Sequence, residues 1–262
     1  MSLIDELAWR GLLADQTEHA ADGLAEGPLK GYIGFDPTAA SLHVGTLVVI
    51  MGLVHLQRAG HHPIALVGGG TGLIGDPSGK TEERSLMDRA QVEANAEGIR
   101  KQLASFLDFE APSNPAQMVN NLDWLGPLPM VDFLRDVGKH FSVNAMLKKE
   151  SVRRRLEEDD VGISFTEFGY QLLQAYDFWE LHQRTGCTLQ MGGSDQWGNI
   201  TAGIDLVRRM GGARCHGVVL PLLTTSAGTK FGKTEAGTVW LDPELTSPFK
   251  FYQFWLNTDD RD

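Results

Sequence analysis

The residues that could do chemistry fall into four short segments. In Lys230-Phe231-Gly232-Lys233-Thr234 two ammonium groups stand three residues apart around a glycine hinge, inside a run of Thr, Ser, Ala and Gly. Such a loop can close on nucleotide phosphates and put positive charge where negative charge develops; otherwise it is solvated surface. Ser41-Leu42-His43-Val44-Gly45-Thr46 opens a helix directly after a strand and turn. Unpaired amides and the helix dipole favour phosphate there, His43 can donate to a phosphate oxygen, and Gly45 lets a flat ring approach the backbone. The alternative for His43 is a capping or solvated histidine.

The glycine-rich stretch Gly68–Gly79 fits neither common nucleotide fingerprint. Gly70, Gly72 and Gly75 have dinucleotide-loop spacing, yet Asp76-Pro77 interrupts the helix that such a loop requires. Gly79-Lys80-Thr81 resembles the end of a P-loop, but Ile74 occupies the position of its first glycine. What remains is a turn with one carboxylate, Asp76, suited to holding an ammonium group, or a glycine-rich turn with no ligand. In the helical stretch Thr166–Gln183, Tyr170, Gln174 and Asp177 share a face at i, i+4 and i+7 among apolar neighbours. A buried stripe of this kind needs partners, which a small polar ligand would supply; an exposed one faces water.

These segments need elements to position them. Five β-rich runs, Gly31–Phe35, Pro63–Val67, Gln117–Asn120, Cys187–Met191 and Val218–Leu223, end in turn residues and are followed by helical patterns. The helices are expected over about Leu42–Ala59, closed by Gly60, Ser85–Phe106, Ser164–Arg184 and Asp195–Met210, ended by Gly211-Gly212; Ser164 with Glu167 forms a capping box. That alternation predicts an α/β fold, with an open, mostly parallel, Rossmann-like sheet and helices on both faces. Ligands in such sheets bind beyond the carboxyl ends of the strands.

Composition bounds the reading. The 262 residues carry 23 Lys+Arg against 34 Asp+Glu, a formal charge of −11, with 42% apolar residues and 30 glycines. This excludes disordered and fibrous architectures and disfavours sequence-blind binding to phosphate backbones. Two basic stretches remain, Lys148–Arg155 and Arg208-Arg209, read as solvated helix faces or as local RNA contacts. The longest apolar runs are far too short for a bilayer, and Met1–Asp15 is acidic and amphipathic, unlike a secretory signal. Cys187 and Cys215 fit structural thiols in a reducing, cytoplasmic setting. His61-His62 is read as a surface pair ahead of a strand, and no metal site is visible.

Taken together, the segments resemble the class I aminoacyl-tRNA synthetases, and within them the bacterial tyrosyl-tRNA synthetases. Tyr32–Thr38 followed by His43-Val44-Gly45-Thr46 resembles the first strand and His-Ile-Gly-His signature, and Lys230–Thr234 resembles the Lys-Met-Ser-Lys-Ser signature in its Phe-Gly form. Gln190–Asn199 resembles the ribose and substrate loop, and Gly75–Gly79 the segment lining the amino-acid site. The resemblance implies that Tyr32 and Asp177 bind the phenol of a tyrosine substrate. It implies that Asp76, Tyr170 and Gln174 hold the ammonium group and that Gln196 sits near the carboxylate, with Gln190 completing the amino-acid site. Gly34, Asp36, Thr38, His43, Gly45, Gly193, Asp195 and Lys233 would bind ATP. His43, Gly45 and Thr46, with Lys80, Arg84, Lys230, Lys233 and Thr234, would form the catalytic, largely cationic set acting on the phosphates. Thr46 stands in place of the second signature histidine, leaving a hydroxyl as donor, and Ile33 stands where some members have cysteine.

The implied reaction joins tyrosine to ATP as an adenylate, with magnesium on the phosphates, and then transfers tyrosine to the 3′ end of tRNA(Tyr). A tryptophanyl-tRNA synthetase and a non-catalytic RNA-binding relative are the rivals. Both lysines of the second signature, Asp76 and Asp195 speak for activity, and Tyr32 with Asp177 for a phenol over an indole. The family implies a homodimer, formed through the region near Asn121–Phe141, and no membrane association. The expected layout is a catalytic domain over 1–225 with a helical insertion near 121–160, then a mobile signature loop and the start of a C-terminal helical region over 226–262. With 28 residues after Thr234, the sequence reads as a catalytic fragment that forms the adenylate but charges tRNA poorly.

Overall fold

A computed structural model describes residues 2–77, 86–149, 152–153, 156, 162–224, 231, 237–259 and the backbone of 233–234. Its centre is a six-stranded sheet in the order β1-β6-β5-β2-β3-β4. The strands are β1 Asp15–Gln16, β2 Lys30–Phe35, β3 His62–Val67, β4 Gln117–Asn120, β5 Leu189–Gly193 and β6 His216–Leu220. All neighbours run parallel except β1, which pairs antiparallel with β6 through Asp15–Val219 and Gln16–Val218. The expected α/β architecture is therefore present.

Strand residues alternate between two cores because successive side chains leave a strand on opposite faces. Ile33, Phe35 and Ala65 join one apolar cluster with Leu53, Leu56 and Leu189, whereas Tyr32, Ile64 and Leu66 join another with Phe178, Leu181 and Leu206. The first cluster is covered by α1 (Leu3–Trp9), α3 (Leu47–Arg58) and α4 (Arg89–Leu103), the second by α8 (Phe165–Thr185) and α9 (Trp197–Gly211). A strand covered on both faces must be apolar along its length, which is why β3 and β6 read as near-continuous hydrophobic runs. Between these strands lie α2 (Ala20–Ala25), and α5 (Leu122–Leu125), α6 (Met130–Asp132) and α7 (Val143–Leu147), the last three in the region expected as a helical insertion. α10 (Pro248–Leu256) follows a two-stranded ribbon of β7 (Lys233–Thr234) and β8 (Gly237–Thr238).

β2 and β5 are adjacent, but β2 leads through α3 outward to β3, while β5 leads through α9 the other way to β6. This reversal opens a crevice at their carboxyl ends, the place where open α/β sheets bind ligands. Two corrections concern the basic and histidine residues. His61 is buried, and its Nδ1 accepts from the Leu29 N–H at 3.3 Å, so it is a structural histidine and not a surface one. Lys149 is no solvated cation: its Nζ donates to the Gly198 carbonyl at 2.7 Å, tying the segment after α7 to the start of α9. Arg208 and Arg209 both pair with Asp205, which reduces the positive field expected of that stretch. Among the described residues no helix is long and apolar enough to cross a membrane.

Candidate active site

The carboxyl end of β2 and its following turn carry Tyr32, Gly34, Asp36 and Thr38 into the crevice. Gly34 is exposed within an otherwise buried strand, and a Cβ there would meet only Leu66 Cδ2 at 3.6 Å, so the crevice has open floor at this point. Tyr32 is buried, its ring edge-to-face with Phe178 at 5.4 Å, and its hydroxyl has no hydrogen-bond partner among the described residues. The amide oxygen of buried Gln190, on β5, is likewise unpartnered. Buried polar atoms of this kind are rare unless something else satisfies them, and both lie on the strands that form the crevice.

Asp177 projects from the fourth turn of α8 into the same core and is 2% exposed. Its Oδ1 accepts from Trp124 Nε1 at 2.7 Å and its Oδ2 from Asn121 Nδ2 at 2.9 Å. Burial pushes its carboxyl up to about 8, against the lowering effect of those two donors. Burial, and next the charge of Asp177, raise the Tyr32 phenol well above its ordinary value, so Tyr32 stays an O–H donor.

The other members of the stripe face a second cluster. Tyr170 donates its hydroxyl to Asp36 Oδ2 at 2.7 Å, and Thr71 donates to Asp36 Oδ1 at 2.6 Å. Gln196 Nε2 donates to Asp76 Oδ2 at 2.7 Å; Asn199 Nδ2 donates to Gln196 Oε1 at 3.3 Å and to Gln174 Oε1 at 3.1 Å. Asp76, Gln174, Gln196 and Asn199 thus form one hydrogen-bonded group, and the charge of Asp76 bears on Tyr170. Carboxylate and amide oxygens concentrated in this way can hold an ammonium group.

The first signature opens α3 through a 3₁₀ turn. His43 Nδ1 accepts from the Gly45 N–H at 3.1 Å, which leaves the hydrogen of the neutral ring on Nε2. The Thr46 hydroxyl donates to the His43 carbonyl at 2.6 Å, so its proton serves the turn and only a lone pair remains for a ligand. That departs from the donor role expected of it. Val44 packs with Phe231 and Val239, and the Phe231 carbonyl sits against Gly45, so the two signatures meet. On the opposite side of the crevice Gly193 lies where any Cβ would press on Asp195 Oδ1, at 2.7 Å. Lys80, Arg84, Lys230, Arg154, Arg155 and the side chains of Lys233 and Thr234 lie outside the described residues.

Thr71, Asn121, Trp124 and Asn199 were missed by sequence reasoning. Asn120-Asn121 at the carboxyl end of β4 was the available signal; Trp124 had none.

The family model for class I tRNA synthetases (W and Y) matches residues 24–262. The chain belongs to that family. The chain is 59% identical over 261 residues to the tyrosine–tRNA ligase of Roseiflexus castenholzii, covering all of this chain and 61% of that protein. It is 60% identical over 267 aligned positions to the tyrosine–tRNA ligase of Bacillus caldotenax, covering 62% of it. Among solved structures, a C-terminally truncated mitochondrial tyrosyl-tRNA synthetase of Aspergillus nidulans superposes with a TM-score of 0.85 at 32% identity, over 99% of this chain and 77% of that one. The chain therefore spans about three fifths of the length of the curated relatives it matches.

Proposed function

We propose that the chain activates tyrosine with ATP. The observation that carries this reading is the buried phenol end of the crevice: Tyr32, with an unpartnered hydroxyl, beside Asp177, with both oxygens held as acceptors. A phenol O–H donating to Asp177 and accepting from Tyr32 satisfies both; an indole offers a donor and no acceptor. The ammonium group falls to Asp76, Tyr170 and Gln174, Gln196 lies near the carboxylate, and Asp36, Gly34, Thr38, Gly193 and Asp195 line the way to ATP. The tyrosine carboxylate then attacks the α-phosphorus, the bond to the bridging oxygen breaks, and pyrophosphate leaves. No proton needs to move in that step, so positioning and charge suffice. His43 donates to phosphate through Nε2, and Lys80, Arg84, Lys230, Lys233 and Thr234 are assigned to the departing pyrophosphate. Magnesium enters with the ATP phosphates, whose oxygens are its natural ligands.

In the second step a ribose hydroxyl at the 3′ end of tRNA(Tyr) attacks the tyrosyl carbonyl and AMP departs. The same reading includes a homodimer, supported by exposed Met130, Val131 and Leu134, and a cytoplasmic setting, supported by two unpaired buried cysteines. The test is exchange of labelled pyrophosphate into ATP with tyrosine, with tryptophan and with no amino acid. Tyrosine alone is expected to stimulate exchange. Stimulation by tryptophan, or equal exchange without any amino acid, would overturn the assignment.

A further inference from the structure

We infer that Thr71 is a positioning residue for substrate selection, a role that rests on the tyrosine reading above. Its hydroxyl is the central link of a chain of hydrogen bonds joining half-buried Asp36 to buried Asp177. Thr71 Oγ1 donates to Asp36 Oδ1 at 2.6 Å and accepts from Asn121 Nδ2 at 2.9 Å. The same Asn121 nitrogen donates to Asp177 Oδ2 at 2.9 Å, and Asn121 Oδ1 accepts from the Gly70 N–H at 2.7 Å.

The direction of this chain follows from its ends. An ionised Asp36 can only accept, so the Thr71 proton must point toward it, and the lone pair must then face Asn121. An N–H is the one group Asn121 can present to that lone pair, which turns its oxygen toward Gly70 and its second hydrogen toward Asp177. Thr71 is 2% exposed and Asn121 0%, so water does not compete for these positions. Half a turn of the amide would set its oxygen against the Thr71 lone pair and its nitrogen against the Gly70 N–H, so Thr71 and Gly70 together fix the orientation that points an N–H at Asp177. Thr71 therefore holds Asp177 Oδ2 in place to receive a phenol hydroxyl, although it lies on the Asp36 side of the site. The backbone makes room for it: a Cβ on Gly68 would overlap both Asp36 Oδ1 and Thr71 Oγ1.

The link asks for one donor and one acceptor on a single short side chain, which serine also provides and valine does not. The experiment measures pyrophosphate exchange with tyrosine and with phenylalanine for the parent chain, Thr71→Val and Thr71→Ser, with thermal unfolding as the check on folding. Thr71→Val is expected to lower the tyrosine-over-phenylalanine ratio of kcat/KM by about tenfold, the scale of leaving a buried donor unpaired. The loss should appear in KM for tyrosine, with kcat nearly kept, because the phenol contact is made equally in ground and transition states. Thr71→Ser should stay within about twofold of the parent. Thr71→Ala carries the same expectation should the valine variant not fold. An unchanged ratio in a folded Val or Ala variant, or a Ser variant as impaired as these, would overturn the role of Thr71 alone. A parent without tyrosine-dependent exchange would overturn the functional reading, and this role with it.

Discussion

Burial and hydrogen bonding pull Asp177 in opposite directions. Removing the carboxylate from water favours the neutral acid, the N–H groups of Asn121 and Trp124 favour the anion, and burial wins, carrying the pKa from 3.8 to about 8. A folded-state value above that of the unfolded chain means that this group stabilises the fold at low pH, and that the contribution is lost as pH rises toward 8. The slope is at most about 1.4 kcal/mol per pH unit. Asp177→Asn keeps the shape and cannot ionise. The ligand-free parent should therefore lose stability relative to Asp177→Asn between about pH 5 and pH 8, a difference read from urea midpoints of both proteins. Parallel pH profiles would show that the buried carboxyl is already ionised across this range, as in the unfolded chain. The spacing of Tyr170, Gln174 and Asp177 was legible because a helix repeats every few residues. Their partners were not: Thr71 and Asn121 stand 50 positions apart and Asn121 and Asp177 56, distances that no local period reports.

At the scale of elements, β4 falls where the apolar run and its flanking turn place it, at Gln117–Asn120. β5 is displaced to Leu189–Gly193 because Gly192 and Gly193, read as a turn, pair with Val219 and Leu220. Ladder hydrogen bonds outweigh the weak strand preference of glycine when both neighbours are present. β6 stops at Leu220, before Pro221, which cannot donate to a ladder. β1 is two residues long and had no pattern to read. The glycines of β2 and of the turn after β3 serve different ends, and substitution should separate them. Gly34→Ala meets only an ordinary contact, Leu66 at 3.6 Å, so its unfolding midpoint should match the parent while KM for ATP or tyrosine rises severalfold. Gly68→Ala collides with Asp36 and Thr71 and should lose about 1–3 kcal/mol of stability, as overpacked sites do. Equal unfolding midpoints for the two variants would show that the turn after β3 yields more easily than its packing indicates.

At the scale of the whole molecule, a chain with a formal charge of −11 would be expected to keep copies apart, yet one stretch concentrates exposed apolar side chains. Met130, Val131 and Leu134 are 71%, 74% and 46% exposed within five residues, and Val143 and Leu147 follow at 59% and 39%. On a monomer such a concentration is costly in water and prone to aggregation, whereas a second copy would cover it. Charge does not oppose contact locally, because Arg135 pairs with Asp132 and Asp136 on the same stretch. The interior side of this region is tied to the site: Phe133 packs edge-to-face on Tyr176, one residue before Asp177. A dimer formed here would brace the wall that carries Asp177, the carboxyl proposed to receive the phenol. Light scattering at micromolar concentration should give about twice the 28.7 kDa of one chain. Val131→Asp with Leu134→Asp should halve that mass while the far-ultraviolet circular dichroism is retained, and should raise KM for tyrosine more than KM for ATP. A parent of single-chain mass would remove the dimer from the functional reading. A monomeric double variant with unchanged tyrosine KM would show that the interface and the phenol site are energetically independent.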